Sequence, residues 1–330
     1  MSELFTLVDL PHIWERMERV EQRLFEATVS DDEYLTGIAQ HLLEAGGKRY
    51  RPLLALLSAE FGPHPERRPV EAGVSVELIH VGSLYHDDVI DEADTRRGAQ
   101  SVNANWSNTV AILAGDFLMA RASETAATHL DQESVRILAA TYAELVEGQT
   151  RELKLDFDLD HSLADYERVI YQKTASLIRA SARLGAMAGG ADPTAVEAVS
   201  DWASEVGMVF QIADDVLDLV ATTEILGKPA GSDILEGKFT MPVLEALHGP
   251  DGERVRKLLG QPRPYEQATV EEIIDIVREG GFATSALDSA RSRLRRADEA
   301  LGILPDVPAK TVLSRLGEFL VERVAEIEGH

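Results

Sequence analysis

Two short segments hold the side chains most able to do chemistry: "DDVID" at positions 87–91 and "DDVLD" at 214–218. Both have the form Asp-Asp-x-x-Asp. In a helix, residues four apart stack one above the other, so Asp87 and Asp91 point the same way, with Asp88 about a quarter turn aside. Asp214, Asp215 and Asp218 repeat this spacing. Like charges so placed cost a helix a few tenths of a kcal/mol per pair, and Asp is a poor helix-interior residue, so something must compensate. Carboxylates without His or Cys ligands suit hard cations, and Mg²⁺ in particular is held by one or two carboxylates plus water and substrate phosphates. A solvated acidic face is the alternative for either segment alone. Their repetition in one chain, each in aliphatic surroundings ("LYHDDVI" and "FQIADDVLDLV"), favours a site. If the clusters face each other across a cleft, bound cations would neutralise charge building on a polyphosphate leaving group.

Cations near these motifs would complete such a site. Lys48, Arg49 and Arg51 lie in "GGKRYRP", Arg96 and Arg97 follow the first cluster, Lys173 lies in "YQKTAS", and Lys228 and Lys238 follow the second cluster. Arg grips phosphate with a planar fork and Lys as a mobile point charge. Surface pairing with neighbouring acids is the commoner fate of any one such cation.

The elements that must position these groups read as helices. Ile13, Met17, Val20 and Leu24 step by three and four along one stripe, and the same step recurs in "SVRILAATYAELVEG", "TVEEIIDIVREG" and "TVLSRLGEFLVERVAEI". Period-two alternation is scarce, and Gly- and Pro-rich breakers separate the helical stretches. The fold class expected is all-α, a single domain over 1–330. Positions 260–267, "GQPRPYEQ", form the likeliest internal boundary but are too short for a domain linker.

Composition sets outer limits. The chain has 330 residues, 45% of them hydrophobic, enough for a sizeable core, and its net charge of -25 argues against a nucleic-acid partner. With no cysteine there is no disulfide framework, no thiolate nucleophile and no Cys-based zinc site, which fits a cytoplasmic location. The N-terminus does not read as a signal peptide, and no apolar run reaches the roughly 18 residues of a membrane span.

Taken together, "GGKRYRP", "HDDVIDEADTRRG", "GDFLMARA", "EGQ", "KTAS", "QIADDVLD" and "LGKPAGSDILEGKFTMP" resemble, in order, the motifs of the trans-isoprenyl diphosphate synthases, or polyprenyl synthetase family. The motifs are dense over about 40–245, and the C-terminal helices, 246–330, match more loosely. The resemblance implies an isoprenoid-synthase-type helical bundle around a deep central cavity, usually a homodimer. It implies condensation of an allylic diphosphate with isopentenyl diphosphate in Mg²⁺-dependent steps, with three ions expected once substrate is bound. By position, Asp87, Asp88, Asp91, Asp214, Asp215 and Asp218 match the family's metal-binding catalytic residues. Lys48, Arg51, His80 and Arg97 match its isopentenyl diphosphate site, and Arg96, Lys173, Thr174, Gln211, Lys228 and Lys238 its allylic diphosphate site, Lys173 also counting as catalytic.

A lone His on an apolar helix face is usually a core residue, but 80, 84, 87 and 91 form one stripe, so His80 shares the face of Asp87 and Asp91. His86 is off that stripe and reads as packing or as support behind the site. Within the family resemblance, product length falls to the wall one and two turns before the aspartates, at Ile79, Gly82 and Ser83. Short-chain members would carry bulky residues there, or two extra residues inside the first cluster. Gly82 and Ser83 are small and "DDVID" has no insertion, so a medium or long all-trans polyprenyl diphosphate is expected, with transient membrane contact for its release. Close helix packing is the alternative for Gly82, and Tyr85 is bulky but off the aspartate face. A geranylgeranyl diphosphate synthase is the runner-up. A non-catalytic regulatory subunit would have no reason to keep six costly carboxylates, and a terpene cyclase would not need "GGKRYRP".

Overall fold

The computed structural model describes residues 2–66, 68–221 and 230–328. Lys228 lies outside the described residues. Among the described residues the chain is all-α apart from one minimal hairpin, and it divides into two compact units, each assembled from non-consecutive segments.

The first unit comprises Met1–Ala143, Leu177–Ser200 and Ile303–Leu313. It opens with α1 (Ser2–Leu7), α2 (Pro11–Ala27), α3 (Glu33–Glu44) and α4 (Tyr50–Ala59). The stripe read from the sequence holds in α2, where Ile13, Val20 and Leu24 are fully buried and Met17 nearly so. At its centre is α5 (Arg68–Ile90), buried on nearly every side through Ala72, Val74, Val76, Leu78 and Val81. Such an all-round apolar helix must be enclosed by others, and α2, α4 and α7 (Asn108–His129) enclose it.

Between α5 and α7 come strands β1 (Thr95–Arg96) and β2 (Ala99–Gln100), antiparallel with Thr95 opposite Gln100, and then the short α6 (Val102–Asn105). The hairpin's two turn residues, Arg97 and Gly98, have φ of 54° and 77°. Positive φ at both central positions is what a type I′ turn requires; it is easy for Gly and strained for Arg. The unit also takes the first part of α8 (Gln132–Leu155), most of α10 (Ser176–Gly189) and the start of α11 (Pro193–Val220).

The second unit comprises Glu144–Ser176, Asp201–Gly302 and Ser314–His330. α9 (Leu163–Ile170) begins at a reciprocal capping box, with Ser162 Oγ accepting from the Asp165 N–H and Asp165 accepting from the Ser162 N–H. It runs directly into a π-helical turn, Tyr171–Ala175. Beyond α11 follow α12 (Ser232–Glu236), α13 (Met241–His248), α14 (Gly252–Leu259), α15 (Gln267–Glu279), α16 (Phe282–Gly302) and α17 (Pro308–Glu328). Val209, Ile212, Val216, Leu244, Ile273 and Leu287 share its core. The Pro-rich stretch 260–267 joins α14 to α15 inside this unit, so it is not a boundary between units.

Candidate active site

In the first unit the site is built on the C-terminal half of α5, the hairpin and the α3–α4 connection. Asp87 is partly buried, Asp88 is fully buried and Asp91 is exposed. Asp91 falls just past the last residue of α5, yet its N–H still donates to the Asp87 carbonyl at 2.8 Å, so the four-residue stacking persists. Asp88 is held by Arg96, whose Nε lies 2.7 Å from Asp88 Oδ1, while Asp88 Oδ2 is buried without a hydrogen-bond partner among the described residues. Burial pushes the Asp88 carboxyl up, and Arg96 opposes that shift.

About two to three turns earlier on α5, His80 and Glu77 meet a cluster of arginines. Burial and the charges of Arg51, Arg97, Arg49 and Arg96 hold His80 well below its ordinary range, so it is neutral at pH 7. Arg51 Nε is buried without a hydrogen-bond partner among the described residues, and burial together with Arg97 lowers its pKa. Arg97 Nη1 donates to the carbonyls of Leu42 (3.0 Å) and Gly46, which aims its fork from the strained turn. Arg49 is spoken for: it grips Glu21 at 2.6 Å and the buried Glu77 at 3.1 Å. Lys48 is exposed. An under-satisfied guanidinium group beside a carboxylate-bearing helix can bind an anion together with a cation.

The chain-length positions behave differently from one another. Gly82 is buried where a β-carbon would lie 2.9 Å from Met119 Cε and 3.1 Å from the Gly115 carbonyl oxygen, so packing of α5 on α7 leaves little room for a larger side chain there. Ile79 is 3% exposed, and Ser83 is partly exposed, its hydroxyl donating to the His80 carbonyl. Tyr85 is fully buried against α3, donating to the Ile38 carbonyl at 2.7 Å. His86 Nε2 lies 3.2 Å from the Ile112 carbonyl oxygen on α7.

In the second unit Asp214 is exposed, whereas Asp215 and Asp218 are each 4% exposed. Asp215 accepts from Tyr166 Oη at 2.5 Å and from Gln211 Nε2 at 2.8 Å, and Gln211 Oε1 accepts from Thr174 Oγ1 at 2.9 Å. Burial first, then the charge of Asp233, pushes the Asp215 carboxyl well up. Asp218 Oδ2 accepts from the Asp233 N–H. Lys173 binds Glu152 at 2.5 Å, and Lys238 binds Glu236 at 2.7 Å.

The unit thus brings Thr174, Gln211 and Asp215 into one hydrogen-bonded chain. Tyr166, Glu152, Asp233 and Glu77 were not anticipated from the sequence; Glu77 could have been, since it extends the His80 stripe back by three residues. Among the described residues no three acidic or histidine side chains converge closely enough to cage an ion alone.

The polyprenyl synthetase family model matches residues 32–277, about three-quarters of the chain. The chain belongs to the polyprenyl synthetase family. It is 44% identical over 308 residues to the nonaprenyl diphosphate synthase of Mycobacterium tuberculosis, covering 92% of this chain and 91% of that protein. It is 40% identical to heptaprenyl diphosphate synthase component 2 of Geobacillus stearothermophilus, covering 92% and 94%. Among solved structures, the family member from Caulobacter crescentus, a polyprenyl synthase complexed with calcium and isoprenyl diphosphate, superposes with a TM-score of 0.88 at 33% identity, covering 98% of this chain and 97% of that one.

Proposed function

We propose that the chain is a Mg²⁺-dependent prenyltransferase that condenses an allylic diphosphate with isopentenyl diphosphate in successive steps, giving a medium or long all-trans polyprenyl diphosphate. The observation that carries this reading is that the arginines of α4, the α3–α4 connection and the hairpin gather around His80 of α5, about two to three turns before the aspartates on the same helix. Arg51 and Arg97 would bind the isopentenyl diphosphate head, with neutral His80 as a hydrogen-bond partner and Lys48 reaching from solvent. Thr174, Gln211 and Lys173, with Arg96 and Lys238, would bind the allylic diphosphate.

The fit to Mg²⁺ rests on an all-carboxylate donor set and on Asp88 Oδ2, which is buried without a hydrogen-bond partner among the described residues. Asp87, Asp91 and Asp214 present the more accessible carboxylates, with Asp88, Asp215 and Asp218 behind them, and three ions are proposed with substrate bound. Bound Mg²⁺ would supply neutralisation of the departing diphosphate. The allylic C–O bond then breaks with its electron pair leaving on diphosphate. The double bond of isopentenyl diphosphate supplies the pair for the new C–C bond, and a proton is lost to restore an alkene, with the released pyrophosphate as its acceptor. The arginines hold both substrates in register while this happens.

The reading includes a cytoplasmic homodimer that meets a membrane transiently on product release. The exposed Ile112 and Leu113 on α7 support a partner surface. No helix among the described residues is long and apolar enough to cross a membrane.

The test is incubation of the purified protein with Mg²⁺, labelled isopentenyl diphosphate and each common allylic primer, followed by measurement of product length. Products of about 30 carbons or more are expected. A product that stops at geranylgeranyl diphosphate would replace the long-chain reading, and no product with any primer would favour the non-catalytic subunit.

A further inference from the structure

Asp215 is almost wholly removed from solvent, so water does not orient it, and both its oxygens are engaged by protein donors. Tyr166 Oη donates to Oδ2 at 2.5 Å and Gln211 Nε2 donates to Oδ1 at 2.8 Å. The Gln211 amide has its Oε1 accepting from the Thr174 hydroxyl at 2.9 Å while its NH₂ donates to Asp215. The hydrogen bonds therefore run in one direction, from Thr174 through Gln211 to Asp215, and Tyr166 closes the far end.

This chain ties three elements together: α9 supplies Tyr166, the π-helical turn supplies Thr174, and α11 supplies Gln211 and Asp215. Tyr166 is itself 5% exposed, and the capping box formed by Ser162 and Asp165 fixes the start of its helix. Each member is satisfied, and a fully satisfied buried network holds its groups in one arrangement.

We propose, building on the prenyltransferase reading, that Tyr166 is a positioning residue for the allylic half of the site. Its hydroxyl fixes Asp215, and through Gln211 that carboxylate fixes the Thr174 hydroxyl relative to the second aspartate cluster. Tyr166 touches neither substrate. The ligand whose binding depends on it is an allylic diphosphate with its divalent cation, and isopentenyl diphosphate does not depend on it. Among the described residues no hydrogen bond joins Arg51, Arg97 or His80 to Tyr166, Asp215, Gln211 or Thr174.

The test uses Tyr166→Phe, which removes one oxygen and leaves the ring packed. Calorimetry with Mg²⁺ and a non-reactive allylic thiodiphosphate should show affinity weakened by about tenfold to a hundredfold, the worth of a hydrogen bond to a charged group. Steady-state assays should show a raised allylic KM with the KM for isopentenyl diphosphate unchanged. Thr174→Val breaks the chain at its other end and should give the same selective pattern. The double variant should lose less than the sum of the two, since both act through one path.

Unchanged thiodiphosphate affinity in Tyr166→Phe, an equal loss for both substrates, or strictly additive losses would each overturn the proposal. Thermal melts of both variants separate a folding defect from a binding one, and Tyr166→Met, which also lacks the hydroxyl, supplies the answer if Tyr166→Phe does not fold. Failure of the wild type to make product would count against the prenyltransferase reading alone, because the binding comparison needs no turnover.

Discussion

Arg96 closes on one oxygen of Asp88 from two nitrogens, Nε and Nη2, each at 2.7 Å, while the other carboxylate oxygen is buried without a hydrogen-bond partner among the described residues. Asp88 is fully buried and Arg96 keeps about a third of its side chain in solvent. The pair explains how α5 tolerates a carboxylate on its enclosed side, and it gives Arg96 a structural task before any diphosphate arrives. Removing one member of a fully buried pair costs ~3–5 kcal/mol; the exposed edge of Arg96 reduces the expectation for Arg96→Ala to about 2 kcal/mol of unfolding free energy in the ligand-free protein. Urea denaturation without Mg²⁺ or substrate measures this. A ligand-free stability equal to wild type would mean that Arg96 serves the substrate alone.

The helical stripes were legible because burial acts on each turn separately, and α2 shows this residue by residue. The two aspartate clusters were legible because their spacing is local. Tyr166 was not: it meets Asp215 across 49 positions of sequence, and no periodicity encodes that. The hairpin was missed because two-residue strands are too short to show alternation, and its turn carries Arg where Asn or Gly is usual. Yet that turn is what presents Arg97 beside Arg51.

Gly82 and Ser83 separate packing from product control. A side chain at Gly82 would press on the Gly115 carbonyl and on Leu118 Cβ at 3.2 Å, and overpacking of this kind costs about 1–3 kcal/mol or more for a ring. Gly82→Phe is therefore expected to lower the melting temperature through the α5–α7 contact. Ser83→Phe, at a partly exposed position, should leave the melt near wild type and shorten the product. Melting curves with chromatography of labelled products decide the matter; full-length product from a well-folded Ser83→Phe would place the chain-length wall elsewhere.

His80 makes stability fall on mild acidification. Its folded pKa is held down by burial and by the arginines on α4, the hairpin and the α3–α4 connection, while the unfolded histidine takes up a proton near its ordinary value of about 6.5. Below that pH the unfolded state binds more protons, so acid draws the equilibrium toward unfolding by at most about 1.4 kcal/mol per pH unit from this one group. His80→Gln cannot titrate. Denaturation at pH 7.5, 6.5 and 5.5 should show the wild type losing more stability than the variant at each downward step. Parallel slopes would mean that His80 titrates normally in the folded protein.

The π-helical turn that carries Lys173 and Thr174 is approached from both sides by glycine. A β-carbon on Gly148 of α8 would lie 2.7 Å from the Lys173 amide nitrogen and 2.8 Å from Gln172 Cβ, and one on Gly207 of α11 would lie 2.6 Å from Ala175 Cα. Gly inside a helix costs roughly 0.5–1 kcal/mol relative to Ala, so propensity alone favours Gly148→Ala. The steric term is opposite in sign and larger, about 1–3 kcal/mol, because the atoms in the way are backbone rather than the end of a flexible chain. Gly148→Ala is expected to lower the melting temperature and to displace Lys173 from Glu152, with a fall in kcat accompanying the rise in allylic KM. A variant that melts higher than wild type and turns over normally would show that the turn yields to the added methyl, and the close approach would then have no part in placing Lys173.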